Sequence, residues 1–215
     1  MRIIGCCSAY QDIDMLKHSL PALRKLVDIL VYVDGAYTKF RHYGDNPEST
    51  DDSLSLAQEY ADRIVFTRKD RSGLMLPWVD EIEKRNQYLI GDLGDYYFVV
   101  DADEVPVGIE AFDRELLRSK PDWFVMLKRI GDNTKPYGIH RLFQHRHGIK
   151  YAGTHHAVHI GKNLIHPQKS GLTAYPGLTL NHLHLLRDTD RVERKGEYYR
   201  DLQKVEAAFR AKERL

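Results

Sequence analysis

Apolar positions in the first hundred residues switch between two spacings. Residues 2–8 (RIIGCCS), 29–33 (ILVYV), 63–67 (RIVFT) and 96–100 (YYFVV) are short apolar runs of the length of a buried strand. Between them the apolar residues step by three and four. Ile13, Leu16, Leu20, Leu23, Leu26 and Val27 follow Asp12, a residue suited to cap a helix. Leu54, Leu56, Ala57, Tyr60 and Ala61 follow Ser49 or Thr50, which predicts a second capped helix, and a third is predicted from Trp78 to about Leu93. Strands alternating with helices in this way predict an α/β fold whose central sheet is mostly parallel and flanked by helices.

Ligands of such sheets gather beyond the carboxyl ends of the strands. Asp34 ends the second predicted strand and Asp101 the fourth, so the two are expected at one crevice. The pattern changes after Glu104. Residues 110–119 read as a short helix, 123–128 (WFVMLK) as a strand, and 138–184 as short strands and loops with turn signals at Gly148, Gly153, Gly161, Pro167 and Gly171. From Arg187 onward Val192, Tyr199, Leu202, Val205 and Phe209 recur at helical spacing in a highly charged stretch, which predicts a C-terminal amphipathic helix. Without a repeat or linker, the expectation is one domain over residues 1–215, with a ligand-binding half to about 104, a second half over 105–186 and the helix over 187–215.

Composition narrows the function classes. Thirty-two basic residues nearly balance 31 acidic ones, so net charge gives no argument for a nucleic-acid partner. No apolar run approaches the roughly 20 residues of a membrane-spanning helix, and no stable membrane insertion is expected. The first residues, MRIIGCCSAYQD, lack the layout of a secretory signal, and Cys6 and Cys7 are adjacent, a poor disulfide pair. A reducing cytoplasm is the expected compartment. Of the 11 histidines, nine fall between His140 and His184.

Chemistry concentrates at Asp101-Ala102-Asp103-Glu104. Two carboxylates that close repel unless something compensates, and Mg²⁺ or Mn²⁺ is a common compensator that also bridges to a substrate diphosphate. A solvated acidic turn is the plainer alternative; the position at the end of an apolar strand favours a site. Arg85 lies four residues after Glu81, where the two can pair on a helix, and Asn86 is a poor helix former. His182 and His184 share one face of a strand. The basic residues Arg68, Lys69 and Arg71 around Asp70 read first as a solvated loop and second as a diphosphate contact. Trp78 and Trp123 read first as core and second as platforms for a sugar ring.

These stretches resemble a family 2-type glycosyltransferase with the nucleotide-sugar-binding GT-A fold. The likeness is carried by IIGCCSAYQD, by VYVDGAY, by VDEIEKRNQYLIGDLGDYYFVVDADE with its basic residue, Asn and DxD order, and more loosely by YAGTHHAVH and LNHLHLLR; it runs over about residues 2–187. The resemblance implies a nucleotide-sugar donor, with Asp34 at the base (uracil expected), Arg85 and Asn86 under the donor pocket, and Asp103 binding the metal directly. Asp101 would then contact ribose or the metal through water, and His182 or His184 would complete the metal shell. The acceptor class stays open among glycan, lipid, protein and nucleic-acid base.

One departure matters. Related enzymes often place an acidic general base in a His-Glu-like context on the acceptor side, where this chain reads Thr154-His155-His156-Ala157. Asp132, His155, His156 and Glu104 are the candidate bases that remain. Three rivals stand beside this reading: a nucleotidyltransferase, disfavoured by the lack of a glycine-rich basic loop after the first strand; an inactive nucleotide-sugar-binding module; and a histidine-rich metal protein, for which the spacings give no tight zinc pattern.

Overall fold

A computed structural model of the 215-residue chain describes residues 1–38, 46–91, 93–152, 157–161, 163–164 and 173–183, with residues 193, 196, 197 and 200. The predicted C-terminal helix over 187–215 falls almost wholly outside the described residues.

The strands are β1 (Ile3–Ala9), β2 (Ile29–Asp34), β3 (Arg63–Val65), β4 (Arg68–Lys69), β5 (Met75–Leu76), β6 (Tyr96–Asp101), β7 (Glu104–Val107), β8 (Asp122–Arg129), β9 (Tyr137–Gln144), β10 (Ile149–Ala152), β11 (Ala157–Ile160), β12 (Asn163–Leu164) and β13 (Thr173–His182). The α-helices are α1 (Ile13–Arg24), α2 (Ser53–Tyr60), α3 (Glu81–Asn86) and α4 (Arg114–Leu117). Eight strands form one sheet in the order β3-β2-β1-β6-β9-β8-β13-β7. Only β9 and β7 run antiparallel to their neighbours within it. The fold is therefore the expected α/β class, with a mostly parallel central sheet.

β1 is buried on both faces, and its side chains sort by the two-residue period of a strand. Ile3, Cys7 and Ala9 join one core with Met15, Leu16, Leu20 and Leu23 of α1. Ile4 and Cys6 join a second core with Trp78, Tyr88 and Tyr151 on the opposite face. Both cysteines are free and buried. Register places Ala9 beside Asp34 on one side, and Ser8 beside Asp101 on the other. The two aspartates thus flank the end of β1, as their strand-end positions implied.

The sheet must curl. Asp101 and Glu104 are three residues apart, a reach of about 11 Å at most. Yet their strands are separated by β9, β8 and β13 in the sheet order, four spacings or about 19 Å if flat. The acidic turn therefore crosses between a central strand and a far edge that bends back toward it.

Several sequence expectations need correction. Asp12 stands at the N-cap of α1 but makes no side-chain capping bond. The N-cap of α2 is Asp52, and Ser49 is drawn elsewhere. The third helix is not 16 residues long: α3 starts at Glu81, with Asp80 accepting from the Glu83 amide, and passes into a 3₁₀ turn at Gln87–Leu89. Trp78 is held in the core, so the helix begins only after it. The 110–119 helix divides into a 3₁₀ turn, Ile109–Ala111, and α4. Residues 138–184 contain two long strands, β9 and the 10-residue β13. β13 passes through Pro176-Gly177 by an irregularity in its pairing rather than a turn.

Candidate active site

The site lies at the carboxyl ends of β1, β2, β6, β8 and β13. At the end of β2, Asp34 is fully buried. Its Oδ2 accepts from the Ser49 amide (2.8 Å), and its Oδ1 accepts from the Ser49 hydroxyl (2.7 Å) and from Tyr32 (3.2 Å). Its backbone carbonyl accepts from the Trp78 indole at 2.7 Å. Gly35 follows with φ +107, and a Cβ there would lie 2.2 Å from Thr67 Cγ2, so only glycine fits this turn. At the end of β1, Gln11 adopts φ 52, an uncommon left-handed conformation. Its amide donates to Ser49 Oγ, while its side-chain oxygen accepts from Thr50 and Asp51 amides. The loops after β1 and β2 are thereby sewn together through residues 49–51.

Lys84 of α3 lies beneath this seam. Its ammonium donates to Ala9 O (2.6 Å) and Gly35 O (2.5 Å), the carbonyls at the ends of the two strands. Burial pushes its pKa down from 10.5 to about 8, and nearby Asp34, Asp12 and Glu81 only partly oppose that.

At the end of β6, Asp101 is clasped between two buried guanidiniums. Arg85 donates to Oδ1 at 2.6 Å and Arg141 of β9 donates to Oδ2. Arg85 also pairs with Glu81 at 3.1 Å, the i,i+4 contact that the sequence allowed, and its guanidinium lies 5.9 Å from the Tyr151 ring centre. Burial opposes charge on Arg85, but Asp101 beside it holds its pKa well above the usual value. Glu104, 2% exposed, accepts from Arg141 at 2.6 Å through one oxygen and from the Asp101 amide at 2.9 Å through the other. Burial raises its pKa, with Arg141 opposing and Asp101 reinforcing.

Asp103 meets a different partner. Its carboxylate stands 3.2 Å from His182 Nε2, and its backbone carbonyl accepts from the Leu183 amide at 2.7 Å. His182 pairs in register with Glu104 on one side and Arg129 on the other. Ala102 is buried between the two aspartates. The structure therefore joins Asp101, Asp103, Glu104, Arg85 and His182.

The remaining candidates are more dispersed. Asn86 exchanges two bonds with the Tyr151 backbone (3.0 and 2.8 Å), clamping β10 onto α3. Asp132 lies in the turn between β8 and β9, three residues past Arg129, and accepts from the Thr134 amide and hydroxyl. His155, His156 and His184 lie outside the described residues. Arg68, Lys69 and Arg71 are exposed, and Trp78 and Trp123 are core residues. Lys84 and Arg141 were not singled out from the sequence. Arg141 carried a signal, a charge between Ile139 and Leu142-Phe143, whereas Lys84, between Glu83 and Arg85, carried none.

Asp103 offers a carboxylate oxygen, the donor that Mn²⁺ and Mg²⁺ favour, and the His182 imidazole suits Mn²⁺ better than the harder Mg²⁺. Among the described residues no three His, Cys, Asp or Glu side chains converge as a cage. A cation shared with a diphosphate needs only one or two protein carboxylates, so this pair fits such an ion. Asp101, with an arginine on each oxygen, fits as a neighbour of the ion rather than as its direct ligand.

No protein-family model matches the chain, and no curated protein does. Among solved structures it is similar to S. aureus TarS 1–349 in complex with UDP-GlcNAc, at 17% identity and a TM-score of 0.46 over 64% of this chain and 37% of that one. The complex with UDP gives 15% identity and a TM-score of 0.44 over 64% and 38%. TarS 1–349 without a named ligand gives 17% and 0.41 over 64% and 39%. The chain thus matches under two fifths of the length of these neighbours. Likeness at this level carries no functional weight, and the site's chemistry stands on the chain's own residues.

Proposed function

We propose that the chain is a glycosyltransferase that takes its sugar from a nucleotide-sugar donor, UDP-linked, with Mn²⁺ or Mg²⁺ held by Asp103 and His182. The observation that carries this reading is the meeting of those two residues, 79 positions apart in sequence, at 3.2 Å beside a buried arginine–carboxylate clasp. A bound dication supplies charge against which a diphosphate can depart.

The chain's own residues prepare the site for that departure. Arg85 and Arg141 neutralise Asp101 and fix it, so the turn presents Asp103 in one orientation. Glu104 holds the Asp101 amide and one guanidinium, which assigns it to bracing the turn rather than to taking a proton from the acceptor. Asp34 acts on the base side through the segment it pins, since Ser49 occupies both of its oxygens. Asp132, at the rim beyond β8, is the described carboxylate left to serve as general base, with His155 and His156 as the histidine alternatives. Two reduced, buried cysteines fit a cytoplasmic setting, and among the described residues no helix is long and apolar enough to cross a membrane.

The test is hydrolysis of UDP-sugars with and without Mn²⁺, alongside calorimetry with UDP, GDP and CDP. The expected result is Mn²⁺-dependent hydrolysis that Asp103→Ala lowers by about 100-fold or more. Hydrolysis that survives Asp103→Ala removes the metal role. UDP binding without turnover would instead identify a binding module, and turnover of nucleoside triphosphates alone a nucleotidyltransferase.

A further inference from the structure

The hairpin β4–β5 is separate from the main sheet and forms its own two-stranded pair. Seven large hydrophobic side chains are exposed among the described residues, and four of them, Phe66, Leu74, Leu76 and Val79, fall in or beside this hairpin. Leu74 is 63% exposed at its turn. Register pairs Arg68 with Leu76 and Lys69 with Met75. Directly paired residues share a face, so Arg68 and Leu76, with Phe66 and Leu74 at two-residue steps, lie on one face, and Thr67, Lys69 and Met75 on the other. Thr67 is buried, which turns the Leu74–Leu76 face outward.

This face is presented rigidly. Asp70 Oδ1 accepts from the Ser72 and Leu74 amides, and Arg68 pairs with Glu83 of α3 at 3.1 Å. A Cβ on Gly73 would meet nothing within 4 Å, so the turn projects into open space. Lys69 and Arg71 are exposed beside it, Lys69 on the opposite face, while Arg68 on the leucine face is engaged by Glu83, and the one acid between Phe66 and Val79, Asp70, is folded back onto its own turn.

Protruding leucines flanked by Lys69 and Arg71 match one kind of partner better than others. A soluble polyanion would use the cations and leave the leucines in water. A neutral apolar surface would use the leucines and gain nothing from the cations. An anionic bilayer uses both: headgroup charge attracts Lys and Arg, and the acyl boundary accepts the apolar tip. We infer that the β4–β5 hairpin is a docking tip for an anionic lipid surface. This surface is independent of the sugar-transfer reading, because vesicle binding needs no donor, metal or turnover.

Co-sedimentation with vesicles of phosphatidylcholine alone, or mixed with phosphatidylglycerol, tests it. The full chain should pellet with the mixed vesicles, weaken as salt rises, and stay in solution with phosphatidylcholine alone. Each basic residue near an anionic surface strengthens binding about fivefold, so Lys69→Gln with Arg71→Gln should lose about 25-fold. Leu74→Ser with Leu76→Ser should also lose binding at unchanged charge. A Leu74→Trp reporter, whose emission should shift to the blue on mixed vesicles, keeps the test decisive where a double variant fails to fold. Undiminished pelleting of Leu74→Ser/Leu76→Ser overturns the inference. So does binding to neither vesicle type, which would leave the patch to a protein partner.

Discussion

At the residue scale, the compensation expected for the acidic turn is divided between two sources. A pair of arginines answers Asp101 and Glu104, and the proposed cation would answer Asp103 beside His182. Half of this was legible. The Asp-x-Asp triplet and the Arg85–Glu81 spacing are local, and local spacing can be read along a chain. Arg141 lies 40 positions from Asp101 on a strand whose neighbours no periodicity reveals. The division makes a distinguishing prediction. Arg141→Leu should leave Asp101 and Glu104 short of countercharge, and breaking one side of a buried pair costs about 3–5 kcal/mol, read as a lower urea midpoint. Asp103→Asn keeps the shape of the side chain and removes the charge that faces His182. It should cost less stability than Arg141→Leu, because the isosteric amide can still meet His182, while abolishing Mn²⁺-dependent turnover.

At the element scale, α3 does more than its six residues suggest. Lys84 ties the ends of β1 and β2, Arg85 grips the end of β6, and Asn86 clamps β10. The sequence shows a helix here but overstates its length, because Trp78 reads as a helical apolar position while its indole is committed to Asp34 O. Propensity is local; the commitment is tertiary. Lys84 gives this element a pH signature. Its folded pKa, about 8, lies below its unfolded 10.5. Below pH 8 both states carry the proton, and folding bears the whole cost of burying the charge, about 3 kcal/mol for such a shift. Between these pKa values the unfolded chain binds more protons, so this contribution to stability rises with pH. Subtracting the urea stability of Lys84→Met from that of the wild type should therefore give a difference that increases from pH 8 to 10.5; a flat difference would show that Lys84 does not titrate in that window.

At the scale of the whole molecule, β1, β2 and β6 were legible because each is buried on both faces and reads as an apolar run. The far edge was not, because β7, β9 and β13 mix charged, glycine and proline positions that resemble loops. The same burial on both faces sets a limit at alkaline pH. Burial raises the pKa of both Cys6 and Cys7, whose unperturbed value is 9.0. It also raises Tyr32 and Tyr88 well above 10.0, and Tyr151 to about 12. These acids have folded pKa values above their unfolded ones, so their contribution is intact below the unfolded pKa and is lost as pH rises past it. Each fully engaged group removes about 1.4 kcal/mol per pH unit. Above pH 9 the two thiols together remove about 2.7 kcal/mol per unit, roughly twice what Lys84 returns, and the phenols join from pH 10. Net stability should therefore rise between pH 8 and 9, where Lys84 titrates alone, and fall above about pH 9 although Lys84 still opposes the fall up to 10.5. Replacing both cysteines by alanine should shift the onset of that fall from about pH 9 to about pH 10, read from urea midpoints measured across the range. An unchanged onset would mean that the thiols ionise within the folded sheet, contrary to their complete burial between α1 and Trp78.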